Sequence, residues 1–190
     1  TLITLLSGLV ATIVIASAII VIAWLKPNSP LIDRRTRAWS NAWLIPAGCS
    51  LEVSGAEHVD RKVSYVVVAN HLSNFDVMVC FRALPLPIRY LAKKELFKVP
   101  LLSMAMRSIG IVEVDRQARG AAIESVNAQS ARTIALGDSL IIYPEGTRSP
   151  DGRRHRGKTG VARLALESGA AGVPVAMLNA DEVQPLGKLL

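Results

Sequence analysis

The sequence is poor in cysteine: Cys49 and Cys80 stand alone, with no Cys-x-x-Cys pair and no Cys/His cluster. That excludes a disulfide framework, offers no zinc-binding pattern, and fits a reducing compartment. Acidic residues are also scarce, 15 against 22 Lys and Arg, for a net charge of +7. Such an excess suits an anionic partner, whether phospholipid headgroups, a phosphorylated substrate or nucleic acid, and charge alone does not choose among them. There is no internal repeat, no low-complexity tract, and no Gly-x-Ser-x-Gly elbow to carry a serine nucleophile. Abundant instead is apolar surface: 51% of the residues are hydrophobic, above the usual range for a soluble domain. The 190 residues suffice for one domain with its own core, and part of the chain is expected to meet lipid.

From Leu2 to Leu25 no residue is charged, and a helix of that length is roughly 36 Å long, enough to cross the hydrocarbon core of a bilayer. A secretory signal peptide would open on basic residues and end at a small-residue cleavage site, whereas this run ends at Trp24-Leu25-Lys26-Pro27. A retained anchor is expected; the alternative, a buried core helix, is seldom apolar on all sides for so long. After the Pro27-Asn28-Ser29-Pro30 break, periodicity predicts a second helix over 31–45, with Ile32, Trp39 and Trp43 on one face and Arg34, Arg37 and Asn41 opposite. This pattern suits a helix lying in the membrane interface, Arg35 reaching headgroups from the stripe's edge. The ordinary alternative is an amphipathic helix packed on the domain. Lys26, Arg34, Arg35 and Arg37 against Asp33 alone place the following domain on the cytoplasmic side of the cell membrane by the positive-inside rule. A shallow helical pair that does not span remains open.

Residues 1–46 thus read as a membrane-anchoring helical pair and 47–190 as a catalytic domain. In the latter, short β-rich runs near 51–53, 65–69, 88–91, 111–114, 140–143 and 173–178 alternate with helical stretches over 76–83, 101–108, 120–136 and 159–168. The alternation predicts an α/β fold, a mixed sheet flanked by helices and preceded by the N-terminal membrane-associated two-helix module; spacing alone does not decide between parallel and mixed pairing.

The chemistry enters at Asn70-His71-Leu72-Ser73-Asn74-Phe75-Asp76, where the apolar strand 65–69 delivers the chain into a polar stop. Sites in α/β proteins commonly form at such strand ends. Five residues along a continuous helix would part the His71 and Asp76 side chains by about 140°. His71 must therefore occupy the turn and Asp76 the first helical turn, with Ser73 the expected N-cap. Asp76 could equally serve only to favour the helix N-terminus. A histidine held by a carboxylate can take a proton from an alcohol. Since no serine elbow is present and nothing places a cysteine beside His71, that alcohol belongs to the substrate. The His-x4-Asp spacing alone is a weak signal, because short motifs recur by chance.

Three further segments add weight. Tyr143-Pro144-Glu145-Gly146-Thr147-Arg148-Ser149 follows a buried strand and can present backbone N–H groups beside a guanidinium, an oxyanion or phosphate cradle; its plain alternative is a strand-ending turn with a local Glu145–Arg148 pair. Arg153, Arg154, Arg156 and Lys158, opposed by Asp151 alone, form either a solvated loop or a basic rim for headgroup or coenzyme phosphates. Gly110 to Arg116 is a strand ending in an arginine able to reach the same phosphate, or simply a surface arginine. Val173-Pro174-Val175 carries a proline suited to an edge strand or a strand start.

The Asn-His-x4-Asp, Gly-to-Arg116, Pro-Glu-Gly-Thr-Arg-Ser and Val-Pro-Val segments, in this order over roughly residues 65 to 178, resemble the four blocks of the glycerolipid acyltransferase family that includes 1-acylglycerol-3-phosphate acyltransferases. The resemblance implies a catalytic base pair at His71 and Asp76, and acceptor-phosphate binding around Arg116 and the turn of Glu145, Gly146, Thr147 and Arg148. Ala92-Lys93-Lys94-Glu95-Leu96 is similar to another family segment, which adds Lys93 to the phosphate ligands. It further implies an N-terminal helical pair seated in the membrane, as in bacterial members. Glu113 departs from the apolar or aromatic residue frequent in its block, and 190 residues is short for such enzymes, so a C-terminal piece is expected beyond this sequence.

The implied activity is O-acyl transfer from acyl-CoA or acyl carrier protein, a co-substrate rather than a bound cofactor, to the hydroxyl of a lysophosphatidic-acid-like acceptor, with no metal. Partners are then the acyl thioester, the lysophospholipid and an anionic membrane. Rivals are the same chemistry on another lysophospholipid or glycolipid, a thioester or lipid hydrolase that leaves the arginines idle, and a non-catalytic module binding anionic membrane. Nucleic-acid binding has no signature beyond charge. Oligomeric state is left open.

Overall fold

A computed structural model describes residues 2–115, 121–153, 155–185 and 187. Helix α1 (Leu2–Leu25) is followed by α2 (Pro30–Leu44), which begins where Ser29 accepts a hydrogen bond from the Leu31 N–H and Pro30 supplies a preset φ at the first helical position. The two helices form an antiparallel hairpin. Trp39 Nε1 donates to Thr12 Oγ1 at 2.8 Å, Thr4 Oγ1 donates to the Pro46 carbonyl at 3.0 Å, and the Trp43 indole lies over Gly8. This corrects the expectation that the tryptophan stripe meets the membrane interface. Its face turns inward instead, Trp39 also meeting Phe81 edge to face at 6.3 Å. Arg34 and Arg35 are exposed on the other side.

The domain continues as β1 (Tyr65–Ala69), α3 (Phe75–Ala83), β2 (Ile88–Lys93), α4 (Pro100–Ser108), β3 (Val112–Val114), α5 (Ala121–Ala135), β4 (Ser139–Ile142), α6 (Gly160–Ser168), β5 (Ala171–Val175) and α7 (Ala180–Val183). The strands lie in the order β3-β2-β4-β1-β5. Every pairing is parallel, as in Val67 with Ile141 and Tyr90 with Ile141, where the sequence had suggested a mixed sheet. Parallel strands require crossovers and bury both faces, which explains why β1 and β4 read as nearly continuous apolar runs rather than as alternation. Val67, Ala69, Ile141, Ile88 and Tyr90 pack with Cys80 and Phe81 of α3 on one face; Val66, Leu140 and Val112 pack with Val126 of α5 and Leu164 of α6 on the other. Each such fully buried aliphatic side chain contributes about 1.5–3 kcal/mol.

The strand expected at residues 51–53 is absent: that stretch joins no sheet, and Leu51 and Val53 are exposed. The expected edge position of Val173-Pro174-Val175 holds, since β5 is the outermost strand beside β1. Arg89 of β2 joins the helical pair to the sheet. Nearly buried, its guanidinium bonds Asp33 of α2 and Asp138 before β4, both at 2.9 Å. Burial raises the Asp138 carboxyl above the ordinary value, with Arg89 pulling the other way and Asp33 adding to the rise. By length and composition α1 could cross a membrane; its inner side packs on α2 and α4, and its outer side exposes Leu2, Leu6, Leu9, Val10 and Ile13.

Candidate functional site

The carboxyl ends of β1, β2 and β4 converge, and the side chains that follow them form one site. Leaving β1, Asn70 fixes the direction of the chain: its amide Nδ2 donates to the Met177 carbonyl at 2.9 Å and its Oδ1 accepts the Met177 N–H at 2.7 Å. Only a side chain with both a donor and an acceptor can make that pair. His71 then sits in the turn and Asp76 in the first turn of α3, as the spacing required. The N-cap position is Asn74, one residue after the expected Ser73, and the helix begins at Phe75, one residue before the expected 76. Ser73 keeps part of the capping role, its hydroxyl accepting the Phe75 N–H at 3.3 Å and donating to the Gln184 carbonyl at 3.2 Å.

The Asp76 side chain is fully buried. Its Oδ2 accepts three hydrogen bonds, from His71 Nδ1 at 2.7 Å and from the backbone N–H groups of Leu72 at 2.7 Å and Ser73 at 2.9 Å. Convergent donors of this kind hold a carboxylate in place. Because the carboxylate accepts, the His71 proton belongs on Nδ1, and Nε2 is left as the basic nitrogen. The imidazole face stacks on Tyr143, with ring centroids 4.1 Å apart and planes 14° from parallel.

Two cavities meet here. The larger, of about 590 Å³, is mainly apolar and runs from His71 along Val77, Phe81, Met106 and Trp39 to Ile15 and Ile19 of α1, with Thr147 and Arg148 at its polar end. The smaller, of about 360 Å³, is lined by Lys158, Gly146, Asn127 and Ser130 together with Val126 and Leu164. Four residues border both: His71, Leu91, Lys93 and Tyr143.

The Tyr143 to Ser149 turn reaches the site because the Ser149 N–H donates to the carbonyl of His71 at 2.8 Å. Gly146 has a φ of +73°, a left-handed backbone that favours glycine, and the Lys158 side chain lies across the space a Cβ would take. The Lys158 N–H closes the loop on the Pro144 carbonyl at 2.8 Å. Within the loop, a hydrogen bond from His155 and the Arg153 N–H hold the Asp151 carboxyl below the ordinary carboxylate range.

Of the residues expected from sequence, His71, Asp76, Lys93, Gly146, Thr147 and Arg148 come together around the two cavities. Among the described residues Glu145 forms no local ion pair with Arg148, and its Oε2 is buried without a partner. Lys93 forms no ion pair among the described residues, and Asp115 is bonded by the adjacent Lys94 at 2.5 Å. Arg116 and Arg154 lie outside the described residues. Glu113, the departure from the family pattern, bonds Arg107 at 2.8 Å and borders neither cavity. Sequence reasoning missed Asn70 as the strap to Met177, Lys158 as a cavity residue and Tyr143 as the partner of the imidazole. Asn70 and Tyr143 stand in the motifs quoted above and Lys158 in the basic rim, but their contacts left no trace in the sequence. Cys80 lies near the pair but is buried, and burial pushes its thiol up to about 12, so it is no nucleophile.

A family model described as Acyltransferase matches residues 50–178. The chain is 30% identical over 140 residues to a 1-acyl-sn-glycerol-3-phosphate acyltransferase from Borreliella burgdorferi, covering 73% of this chain and 54% of that protein. It is 36% identical over 134 residues to an enzyme of the same name from Limnanthes alba, covering 70% and 46%. With the human 1-acyl-sn-glycerol-3-phosphate acyltransferase alpha it shares 34% over 131 residues, covering 68% and 46%. The chain thus spans about half the length of the curated relatives it matches. In fold it is similar to the crystal structure of the 1-acyl-sn-glycerophosphate acyltransferase PlsC from Thermotoga maritima, with a TM-score of 0.80 and 24% identity, over 98% of this chain and 77% of that one.

Proposed function

The chain belongs to the acyltransferase family, and on that premise we propose that it moves a fatty acyl chain from an acyl thioester to the free hydroxyl of 1-acylglycerol-3-phosphate, forming phosphatidic acid. One observation carries the reading: a carboxylate-held histidine borders both cavities, whose lining includes Lys93, Arg148 and Lys158, and no serine or cysteine is hydrogen-bonded to its ring among the described residues.

His71 Nε2 takes the proton of the acceptor hydroxyl while Asp76 stabilises the resulting imidazolium. The alkoxide oxygen adds to the thioester carbonyl carbon, and the carbonyl electrons move to oxygen. The tetrahedral oxyanion collapses, the C–S bond breaks, and the thiolate takes the proton back from His71. No acyl-enzyme forms. Lys93, Arg148 and Lys158 hold phosphate, with Arg116 the further arginine that the family resemblance adds; positioning of this kind supplies much of the rate. Gly146 and Thr147 shape the turn, and Glu145 orients it. The apolar cavity takes an acyl chain. Acyl-CoA or acyl carrier protein is the co-substrate, and no resident cofactor takes part in these steps.

Because α1 walls the larger cavity with Ile15, Ala16 and Ile19 while its outer side exposes leucine and isoleucine, the reading puts that outer side in lipid; Lys26, Arg34, Arg35 and Arg37 support a domain on the cytoplasmic surface. Acceptor, donor chain and product then exchange directly with the membrane. The test is a mass spectrum of the product formed by purified protein from acyl-CoA and 1-acylglycerol-3-phosphate in mixed micelles. Phosphatidic acid is expected, formed only when both are present. Free fatty acid released at the same rate without acceptor would assign the site to hydrolysis instead.

A further inference from the structure

Nothing in the proposed steps uses the stack of His71 on Tyr143. The covalent bond at Cγ and the hydrogen bond from Nδ1 to Asp76 both hold one edge of the imidazole. Nε2, on the opposite edge, moves most as χ1 and χ2 flex within their rotamer well. A second, flat restraint is therefore needed if Nε2 is to stay on the line between the two cavities, and Tyr143 supplies it at 4.1 Å and 14°. Tyr143 and His71 both border both cavities. The phenol itself is anchored from behind by Tyr90, 6.1 Å away between centroids and in turn packed on Phe81 at 5.0 Å.

We propose that Tyr143 is a positioning residue for the base, its ring face holding the imidazole plane so that Nε2 points into the junction of the two cavities. This rests on the acyl-transfer reading of His71. The ring does this, not the hydroxyl, which is buried beside Tyr90 and Cys80. Burial also raises the phenol well above its ordinary value, and it remains neutral while the enzyme turns over. A phenylalanine would present the same face with the same charge. An aliphatic side chain would fill space without the flat, electron-rich surface on which rings stack in offset or parallel geometry.

Misplacement of a reacting group by about 1 Å costs on the order of 100-fold in rate. Tyr143→Leu is therefore expected to lower kcat by roughly 10- to 100-fold, with the KM of donor and acceptor each within about twofold of the parent because neither substrate loses a ligand. Tyr143→Phe is expected to keep kcat within about threefold. If the leucine variant fails to fold, Tyr143→Met takes its place. An NMR readout is independent of turnover: protein labelled at histidine Cε1 should show the His71 ring proton shifted upfield by the Tyr143 ring current in the parent and the Phe variant, and not in the Leu variant. A leucine variant with parental kcat, a Phe variant as impaired as the Leu one, or a His71 resonance unchanged by Tyr143→Leu would each overturn the proposal. A parent that shows the upfield resonance yet forms no phosphatidic acid would instead strike at the proposed function and leave the stack in place.

Discussion

Replacing Asp76 by Asn separates what the carboxylate does for the fold from what it does for the base. The Oδ2 atom faces three N–H donors, so the amide must turn its carbonyl oxygen toward them and its NH2 into the pocket of Oδ1, which is buried without a partner. Two backbone bonds, from Leu72 and Ser73, then change from charged to neutral acceptors, a loss of about 1 kcal/mol each, and the orphaned NH2 adds about 1–3 kcal/mol. The fold should therefore weaken by roughly 3–5 kcal/mol. The His71 contact is intact in geometry, but the imidazolium formed during proton transfer now faces a neutral amide. By analogy with the Ser-His-Asp triad, whose Asp→Asn change lowers kcat by about 10⁴, kcat should fall by roughly 10²–10⁴, with both KM values little changed. Thiol release from acyl-CoA measures kcat, and thermal unfolding of the detergent-solubilised protein measures stability. An Asp76→Asn variant with kcat within threefold of the parent would refute the role of the pair.

Asn70→Asp should destabilise more than Asn70→Ala, because it turns the donor facing the Met177 carbonyl into an acceptor; comparing the two melting temperatures checks this, and the Ala change alone should cost about 1–3 kcal/mol. Gly8→Ala should loosen the helical hairpin by about 1–3 kcal/mol through overpacking, since a Cβ there would stand 2.3 Å from Trp43; faster proteolysis between α1 and α2 and a changed tryptophan emission are the readouts. Asp138 has its folded pKa raised above 3.8, so its contribution to stability is fully present below that pH and is lost as pH rises through the folded value. Relative to the non-titrating Asp138→Asn variant, the parent should accordingly lose melting temperature from pH 4 to pH 7. Replacing Arg148 or Lys158 by Gln should raise the acceptor KM roughly tenfold and leave the rate of a phosphate-free acceptor unchanged; steady-state kinetics with 1-acylglycerol-3-phosphate and monoacylglycerol distinguish these.

The strand Tyr65–Ala69 and the His71–Asp76 pair were legible because their signals are local: an apolar run, a polar stop, and a spacing that forbids a continuous helix. The Trp39 and Trp43 face was legible as apolar, but amphipathic periodicity does not name the apolar partner, and α1 was as apolar as lipid. Residues 51–53 show a short alternation without a neighbouring strand to pair with, which sequence alone cannot see. The parallel sheet was hidden because strand direction depends on crossovers, not on strand composition. Tyr143 and Arg89 act through contacts with chain elements distant in sequence: Tyr143 is 72 positions from the ring it supports, and Arg89 bonds an aspartate on α2 and another before β4. Nothing within a window of ten residues marks either.

The bond from the Ser149 N–H to the His71 carbonyl, 2.8 Å long, ties the turn that bears the base to the turn that bears Arg148. Under the proposed chemistry it works as a caliper. It fixes the spacing between the base and the guanidinium-bearing turn, so that on that chemistry the length between an acceptor's hydroxyl oxygen and its phosphorus, rather than contact with the acylated carbon, would set which acceptors fit.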